Sequence, residues 1–100
     1  MKGVNPMTTA EIKKEMQNAI KASGFYDCIA LTAGAKQLEK GNATICFGYI
    51  EDASRNAEGT FKKFTASKEF VEMLQKIGGT YEREEKKERG WRSLYIRIHF

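Results

Sequence analysis

The final ten residues of the chain alternate between apolar and polar side chains. The apolar set is Leu94, Ile96, Ile98 and Phe100, and the intervening set is Trp91, Ser93, Tyr95, Arg97 and His99. Because successive side chains of a strand point to opposite faces, this pattern predicts a half-buried strand. One face of that strand joins the core, and the other presents aromatic rings and cations.

Two segments have the apolar spacing of amphipathic helices. The first follows a capping-box pair, Thr8 and Glu11, and we predict a helix over about 9–22 that ends at Ser23-Gly24. Ser67 can cap the second helix, which ends at Gly78-Gly79. The predicted stripes are Ile12, Met16, Ala19 and Ile20 in the first helix, and Phe70, Val71, Leu74 and Ile77 in the second.

Segments with a period of two predict four or five strands. These segments cover about 26–32, 43–51, a short candidate at 60–65, 81–85 and 91–100. We expect Gly48 to mark either a bulge in the second strand or a close backbone approach, and the charged turn 86–90 to close the last hairpin. Connection 33–42 is long enough to be a candidate functional loop. The odd positions of the second strand that we expect to face the core are Ala43, Ile45, Phe47 and Tyr49.

The resulting order, α-β-β-(β)-α-β-β, predicts an α+β fold in which two helices cover one face of an antiparallel sheet of four or five strands. We expect a flexible lead-in at 1–7 and a single domain at 8–100. The predicted core consists of Ile12, Met16, Ile20, Ile29, Leu31, Ile45, Phe47, Phe70, Leu74, Ile77, Leu94, Ile96 and Ile98.

The 100 residues include 17 basic and 13 acidic side chains, which give a formal charge of +4. The two signs are interleaved, so the bias toward anionic partners is mild. We find neither a membrane-span pattern nor a secretory signal, and we expect a cytoplasmic protein in which Cys28 and Cys46 are reduced thiols. These cysteines and the single His99 cannot complete a zinc site, and phosphate, dinucleotide and nucleophile-elbow motifs are absent. We therefore expect no metal, no cofactor and no catalysis.

The rings and cations outside the core suit two classes of partner. Trp, Tyr and Arg dominate protein interfaces, and mixed charge favours a protein partner, with the chain acting as an inhibitor, adaptor or subunit. Mobile genetic elements encode many proteins of this kind, although no residue here establishes that origin. The candidate contact residues are Trp91, Tyr95, Arg97, His99 and Tyr26.

The alternative partner is single-stranded nucleic acid, whose bases stack on aromatic rings while cations neutralise phosphate. The cations that would serve this role are Lys62, Lys63, Lys68, Arg92 and Arg97. A third possibility is that Trp91 and Tyr95 pack beneath loop 33–42 or across the sheet edge of a homodimer.

Overall fold

In the computed structural model, residues 7–100 are described, and they form four helices and four strands. The elements are α1 (Thr9–Ser23), β1 (Ala30–Thr32), α2 (Ala35–Glu39), β2 (Asn42–Tyr49), α3 (Ala57–Ala66), α4 (Lys68–Ile77), β3 (Thr80–Glu88) and β4 (Trp91–His99). The strands form one antiparallel sheet in the order β1-β2-β4-β3. The predicted α+β class is therefore confirmed. Most of the predicted lead-in, residues 1–6, lies outside the described residues, and Met7 packs against the core.

The core lies between the helices and one face of the sheet. Ile45 occupies its centre, opposite Leu31 of β1 and Ile96 of β4. The predicted core residues are buried except Leu31 and Leu74, which are only partly buried. Ala19 and Ala43, which we expected on the core side of their elements, are also buried. The buried hydrophobic residues outside these predictions are Ala33, Leu38, Ala57, Phe64 and Met73.

The predicted strand at 60–65 is wrong, because these residues belong to helix α3. Its first turn is capped by Asn56, whose side-chain oxygen accepts from the Gly59 backbone N–H at 3.2 Å. Phe61 and Phe64 are three residues apart and so share one side of the helix. Both rings pack against Phe47 of β2, at centroid distances of 5.6 and 6.0 Å.

The connection 33–42 also contains a helix, α2, whose buried residue is Leu38. The first strand is shorter than predicted because a turn occupies its expected start. The backbone N–H groups of Cys28 and Ile29 both donate to the Phe25 carbonyl, at 2.9 and 3.2 Å. Cys28 therefore lies outside β1, and Ala30 is the residue paired with Cys46. Both cysteines are free thiols.

The buried side of α4 differs from the predicted stripe at Val71, Met73 and Leu74. Phe70, Met73 and Ile77 are buried, whereas Val71 is exposed and Leu74 is partly buried. The stripe therefore includes Met73 in the place that the prediction assigned to Leu74.

The last hairpin is longer and its turn tighter than predicted. β3 continues through residues 86–88, and Glu88 pairs with Trp91, so only Arg89 and Gly90 form the turn. Both residues have positive φ, 51° and 85°. This is the backbone of a two-residue type I′ turn, whose twist matches that of the strands it joins.

Candidate functional site

The face of the sheet opposite the helices is the candidate site, and we call it the open face. Residues paired across neighbouring strands share a face, so the register defines its members. They are Ala30 and Thr32 of β1, Asn42, Thr44, Cys46 and Tyr49 of β2, Trp91, Ser93, Tyr95, Arg97 and His99 of β4, and Thr80, Glu82, Glu84, Lys86 and Glu88 of β3.

A bulge in β2 brings Tyr49 onto the open face. Cys46 pairs with Tyr95, but the next pair is Gly48 with Leu94, so one residue of β2 is inserted between them. Gly48 has φ 103°, a conformation that residues with a Cβ rarely adopt. The predicted bulge is confirmed. The prediction that Tyr49 faces the core is wrong, because the inserted residue reverses the alternation beyond it.

Tyr49 and Trp91 form an exposed aromatic pair at one end of the open face. Their ring centroids are 5.5 Å apart with an interplanar angle of 53°. The two residues are 44% and 47% exposed. Rings in this tilted arrangement stabilise each other while leaving apolar surface in contact with water. Tyr49 is the main site residue that the sequence prediction missed, although Gly48 signalled the change in alternation.

Tyr95 and Arg97 lie half-buried in the middle of the open face, and Glu84 of β3 holds both. The Arg97 Nε donates to Glu84 Oε2 at 3.1 Å, and a second guanidinium nitrogen donates to Oε1 at 3.3 Å. Arg97 and the Tyr95 hydroxyl hold the pKa of the Glu84 carboxyl below its usual value. Hydrogen bonding to Glu84 raises the pKa of Tyr95. This part of the open face is therefore ordered and internally charge-balanced.

His99 lies on the open face at the far end of β4, between Asn42 and Thr80. Its Nε2 is 3.5 Å from the Glu82 carboxylate, and both side chains are exposed.

Tyr26 does not lie on the open face, contrary to prediction, because the turn at residues 26–28 replaces the expected start of β1. Its ring is 61% exposed, with the Lys21 ammonium 5.8 Å from the ring centroid. Tyr26 instead lines a cavity of about 570 Å³ between α1 and β1. The other lining residues include Lys13, Gln17, Ile20, Ile29 and Leu31.

The basic residues assigned to the alternative nucleic-acid site are divided between two sides of the molecule. Lys62 and Lys63 are exposed on α3, and Lys68 begins α4. Arg92 is two residues before the buried Leu94 in β4, so both side chains lie on the helix side of the sheet. Among the five, Arg97 alone is on the open face. The charged side chains among the described residues of the open face are Lys86, Arg97, Glu82, Glu84 and Glu88. With His99 neutral, these two cations and three carboxylates give the open face a formal charge of −1.

Arg92 takes part in a separate network of ion pairs on the helix side. Its backbone N–H and Nε donate to the two carboxylate oxygens of Glu51, at 2.8 and 2.7 Å. These bonds lower the pKa of Glu51 to about 2. Nearby, Arg83 makes two bonds to Glu58, at 2.8 and 2.6 Å, and one to Glu85, at 2.8 Å. This network ties β3 and β4 to α3 and the loop after β2.

Within residues 7–100, no three His, Cys, Asp or Glu side chains are grouped so that they could hold a metal ion. None of the helices in the described part of the chain is both long and apolar enough to cross a membrane. Comparison with protein-family models, curated proteins and solved structures finds no match for this chain.

Proposed function

We propose that the protein is a small non-enzymatic binding module that occupies the surface of a protein partner through its open face, as an inhibitor, adaptor or subunit. The observation that carries the proposal is the exposed Tyr49–Trp91 pair beside the ordered Tyr95 and Arg97. Burying two half-exposed rings removes apolar surface from water, and this is the main favourable term in protein association. The proposal includes a cytoplasmic location, where the free thiols of Cys28 and Cys46 stay reduced.

The order already present in the open face lowers the entropic cost of binding. Immobilising a long side chain at an interface costs about 0.5–1.5 kcal/mol. Glu84 already restrains the Arg97 guanidinium through two hydrogen bonds, and Trp91 restrains Tyr49 by ring packing. The partner therefore meets a surface whose central side chains are largely in place.

The charge distribution supports a protein partner over nucleic acid. A nucleic-acid track needs several unpaired cations on one surface to neutralise successive phosphates. The open face has a formal charge of −1, its Arg97 is paired with Glu84, and Lys62, Lys63 and Lys68 belong to helices on the other side of the sheet. We therefore propose a polar rim around aromatic anchors as the recognition mode.

Co-purification from the native host with variant proteins tests the proposal. The double variant Tyr49→Ala with Trp91→Ala should lose the specific partner, since truncating an interface anchor costs about 2 kcal/mol or more, roughly 30-fold in affinity. Tyr26→Ala is the matched control, because it removes an exposed tyrosine outside the open face. Equal recovery of the partner with all three proteins would exclude the open face as the binding surface.

A salt series on the purified complex, with and without nuclease, distinguishes the two classes of partner. Affinity for nucleic acid should fall by orders of magnitude between about 50 and 200 mM salt, because each phosphate contact releases counterions. A protein interface built on desolvated rings should lose far less over this range. Steep salt dependence together with nuclease sensitivity would favour the nucleic-acid alternative.

A further inference from the structure

The outer edge of β3 is a long sheet edge that the helices leave accessible. The strand order places β3 last in the sheet, and within residues 7–100 only β4 pairs with it. Every residue of β3 except Glu84 is exposed. Tyr81, on the helix side of β3, is still 38% exposed. Alternate residues of this nine-residue strand direct their backbone N–H and C=O groups away from β4, and these unpaired groups form a ready template for another strand.

The charges along β3 are arranged so that two copies of this strand can place opposite charges across from each other. The centre of this arrangement is Glu84, the middle residue of the strand. Antiparallel pairing of two β3 strands with Glu84 opposite its own counterpart aligns all nine residues, 80–88. Glu82 then lies opposite Lys86 on the open-face side, and Arg83 lies opposite Glu85 on the helix side. Opposite charges placed directly across strands stabilise a sheet.

The one like-charged contact in this register lies at its centre, where the two Glu84 residues meet. Each carboxylate is already paired with Arg97 of its own chain, at 3.1 Å. The repulsion between them is therefore reduced by two neighbouring cations, and both guanidinium groups lie on the same side of the sheet as the carboxylates.

Other registers place like charges opposite each other. A closed two-fold pair presents the same patch on both copies, so a residue always lies opposite its own counterpart at the centre. Centring on Arg83 sets Glu82 against Glu84, and centring on Glu85 sets Arg83 against Lys87. The charges of β3 thus prevent promiscuous edge pairing and favour a single register.

We propose that β3 is a self-association edge, on which the β3 strand of a second copy of this chain pairs antiparallel about Glu84. The two four-stranded sheets become one sheet of eight strands. Because the two-fold axis is perpendicular to this sheet, both open faces lie on the same side of it, next to each other. A dimer therefore offers a partner two aromatic pairs on one continuous surface, and it gains avidity for any partner with a repeated surface.

Charge reversal at the paired positions tests the register. Glu82→Lys sets two lysines opposite each other at both symmetric positions, and Lys86→Glu does the same with two glutamates. Each single variant should weaken dimerisation by about tenfold or more, since favourable cross-strand pairs become unfavourable. The double variant with both changes should dimerise like the wild type, and an equimolar mixture of the two single variants should form heterodimers. Sedimentation equilibrium over a wide concentration range measures each case.

Two control variants separate pairing from net charge. Glu39→Lys on α2 and Lys14→Glu on α1 change the net charge by the same amounts as Glu82→Lys and Lys86→Glu, at exposed positions away from β3. Both should dimerise as the wild type does. A wild type that stays monomeric at every concentration would overturn the proposal, and so would single variants that dimerise as strongly as the controls.

Oxidative cross-linking gives a second measurement that does not depend on charge. Directly paired residues have Cα atoms about 4.5–5.5 Å apart, within the range that a disulfide spans. In a background with Cys28→Ser and Cys46→Ser, Glu84→Cys should form a disulfide-linked dimer on mild oxidation. Lys87→Cys is the control, because in this register residue 87 lies opposite residue 81. The two cysteines at position 87 would therefore be too far apart to form a disulfide. Cross-linking at 87 but not at 84 would show a different interface.

Discussion

Glu84 and Arg97 form a diagonal ion pair across the β3–β4 hairpin. In the register, Glu84 lies opposite Tyr95 and Arg97 lies opposite Glu82. The guanidinium nevertheless reaches Glu84 with two hydrogen bonds, at 3.1 and 3.3 Å. The diagonal contact restrains the Arg97 guanidinium on the open face and balances its charge.

We predict that Tyr95→Ala combined with Arg97→Ala abolishes recovery of the partner while the fold persists. Both side chains lie on the open face and are only half-buried, so the free energy of unfolding should fall by no more than about 1–2 kcal/mol. Thermal unfolding and partner co-purification measure the two effects separately. Lys62→Ala with Lys63→Ala on α3 is the control, and native-like recovery with the Tyr95 and Arg97 double variant would contradict the assignment.

We predict that the Glu51–Arg92 contact stabilises the protein at neutral pH and ceases to do so in acid. The pKa of Glu51 is lowered to about 2, below its value of about 4.3 in an unfolded chain. Its contribution is therefore complete above about pH 4.3 and is lost as the pH falls through about 2.

Glu51→Gln tests this pH dependence. The variant should be less stable than the wild type near neutral pH, and the two thermal midpoints should converge as the pH falls from about 4.5 to 2. Glu39→Gln, which removes a surface carboxylate from α2, controls for the loss of one negative charge. A difference in midpoint that is constant with pH would show that the contact contributes through packing rather than through the ionised carboxylate.

We predict that Phe64→Ala costs about 3–5 kcal/mol of unfolding free energy, the range for emptying a packed aromatic site. Phe64 is fully buried and contacts the rings of Phe25, Phe47 and Phe70. Leu74→Ala should cost less than about 2 kcal/mol, because Leu74 is only partly buried. Denaturant titration measures both, and a larger loss at Leu74 than at Phe64 would contradict the observed helix faces.

We predict opposite effects at the two residues of the β3–β4 turn. Gly90 has φ 85°, a left-handed conformation that is strained for a residue with a Cβ, so Gly90→Ala should destabilise the protein by about 1–2 kcal/mol. No neighbouring atom lies within 4 Å of the added Cβ, so this loss reports backbone conformation alone and not a steric clash. Arg89→Asn should stabilise it by about 0.5–1 kcal/mol, because Asn-Gly is the preferred pair in this turn. Equilibrium unfolding checks the signs, and equal signs would exclude backbone conformation as the cause.

The sequence predicts most clearly the elements that have one buried face and a strong cap. Helix α1 begins at the predicted Thr8–Glu11 capping box and ends at Gly24, because local hydrogen bonds determine both ends. Strand β4 has the predicted alternation, since Leu94, Ile96 and Ile98 are all buried. In these elements local preference and tertiary packing agree.

The errors occur where the hydrophobic pattern fits two structures or carries no signal. Phe61 and Phe64 with two lysines between them fit a helix as well as a short strand, and tertiary packing decides. Residues 86–88 lack apolar alternation because β3 is exposed on both faces, so only the pairing with β4 makes them a strand. The Phe25 carbonyl accepts the hydrogen bonds of a turn that shortens β1. Residues 25–29 include no glycine or proline, so the sequence gives no signal of this turn.

The bulge at Gly48 makes the aromatic surface depend on how β2 pairs with β4 as well as on the residue types of β2. Regular pairing without the bulge, with every residue retained, would place Gly48 opposite Ser93 and turn Tyr49 toward the helices. The hydrophobic Ile50 would then take the exposed position opposite Trp91. A change of register at one residue would thus remove the aromatic pair while leaving Tyr49 and Trp91 in the sequence, whereas deletion of Gly48 would keep Tyr49 opposite Ser93 on the open face.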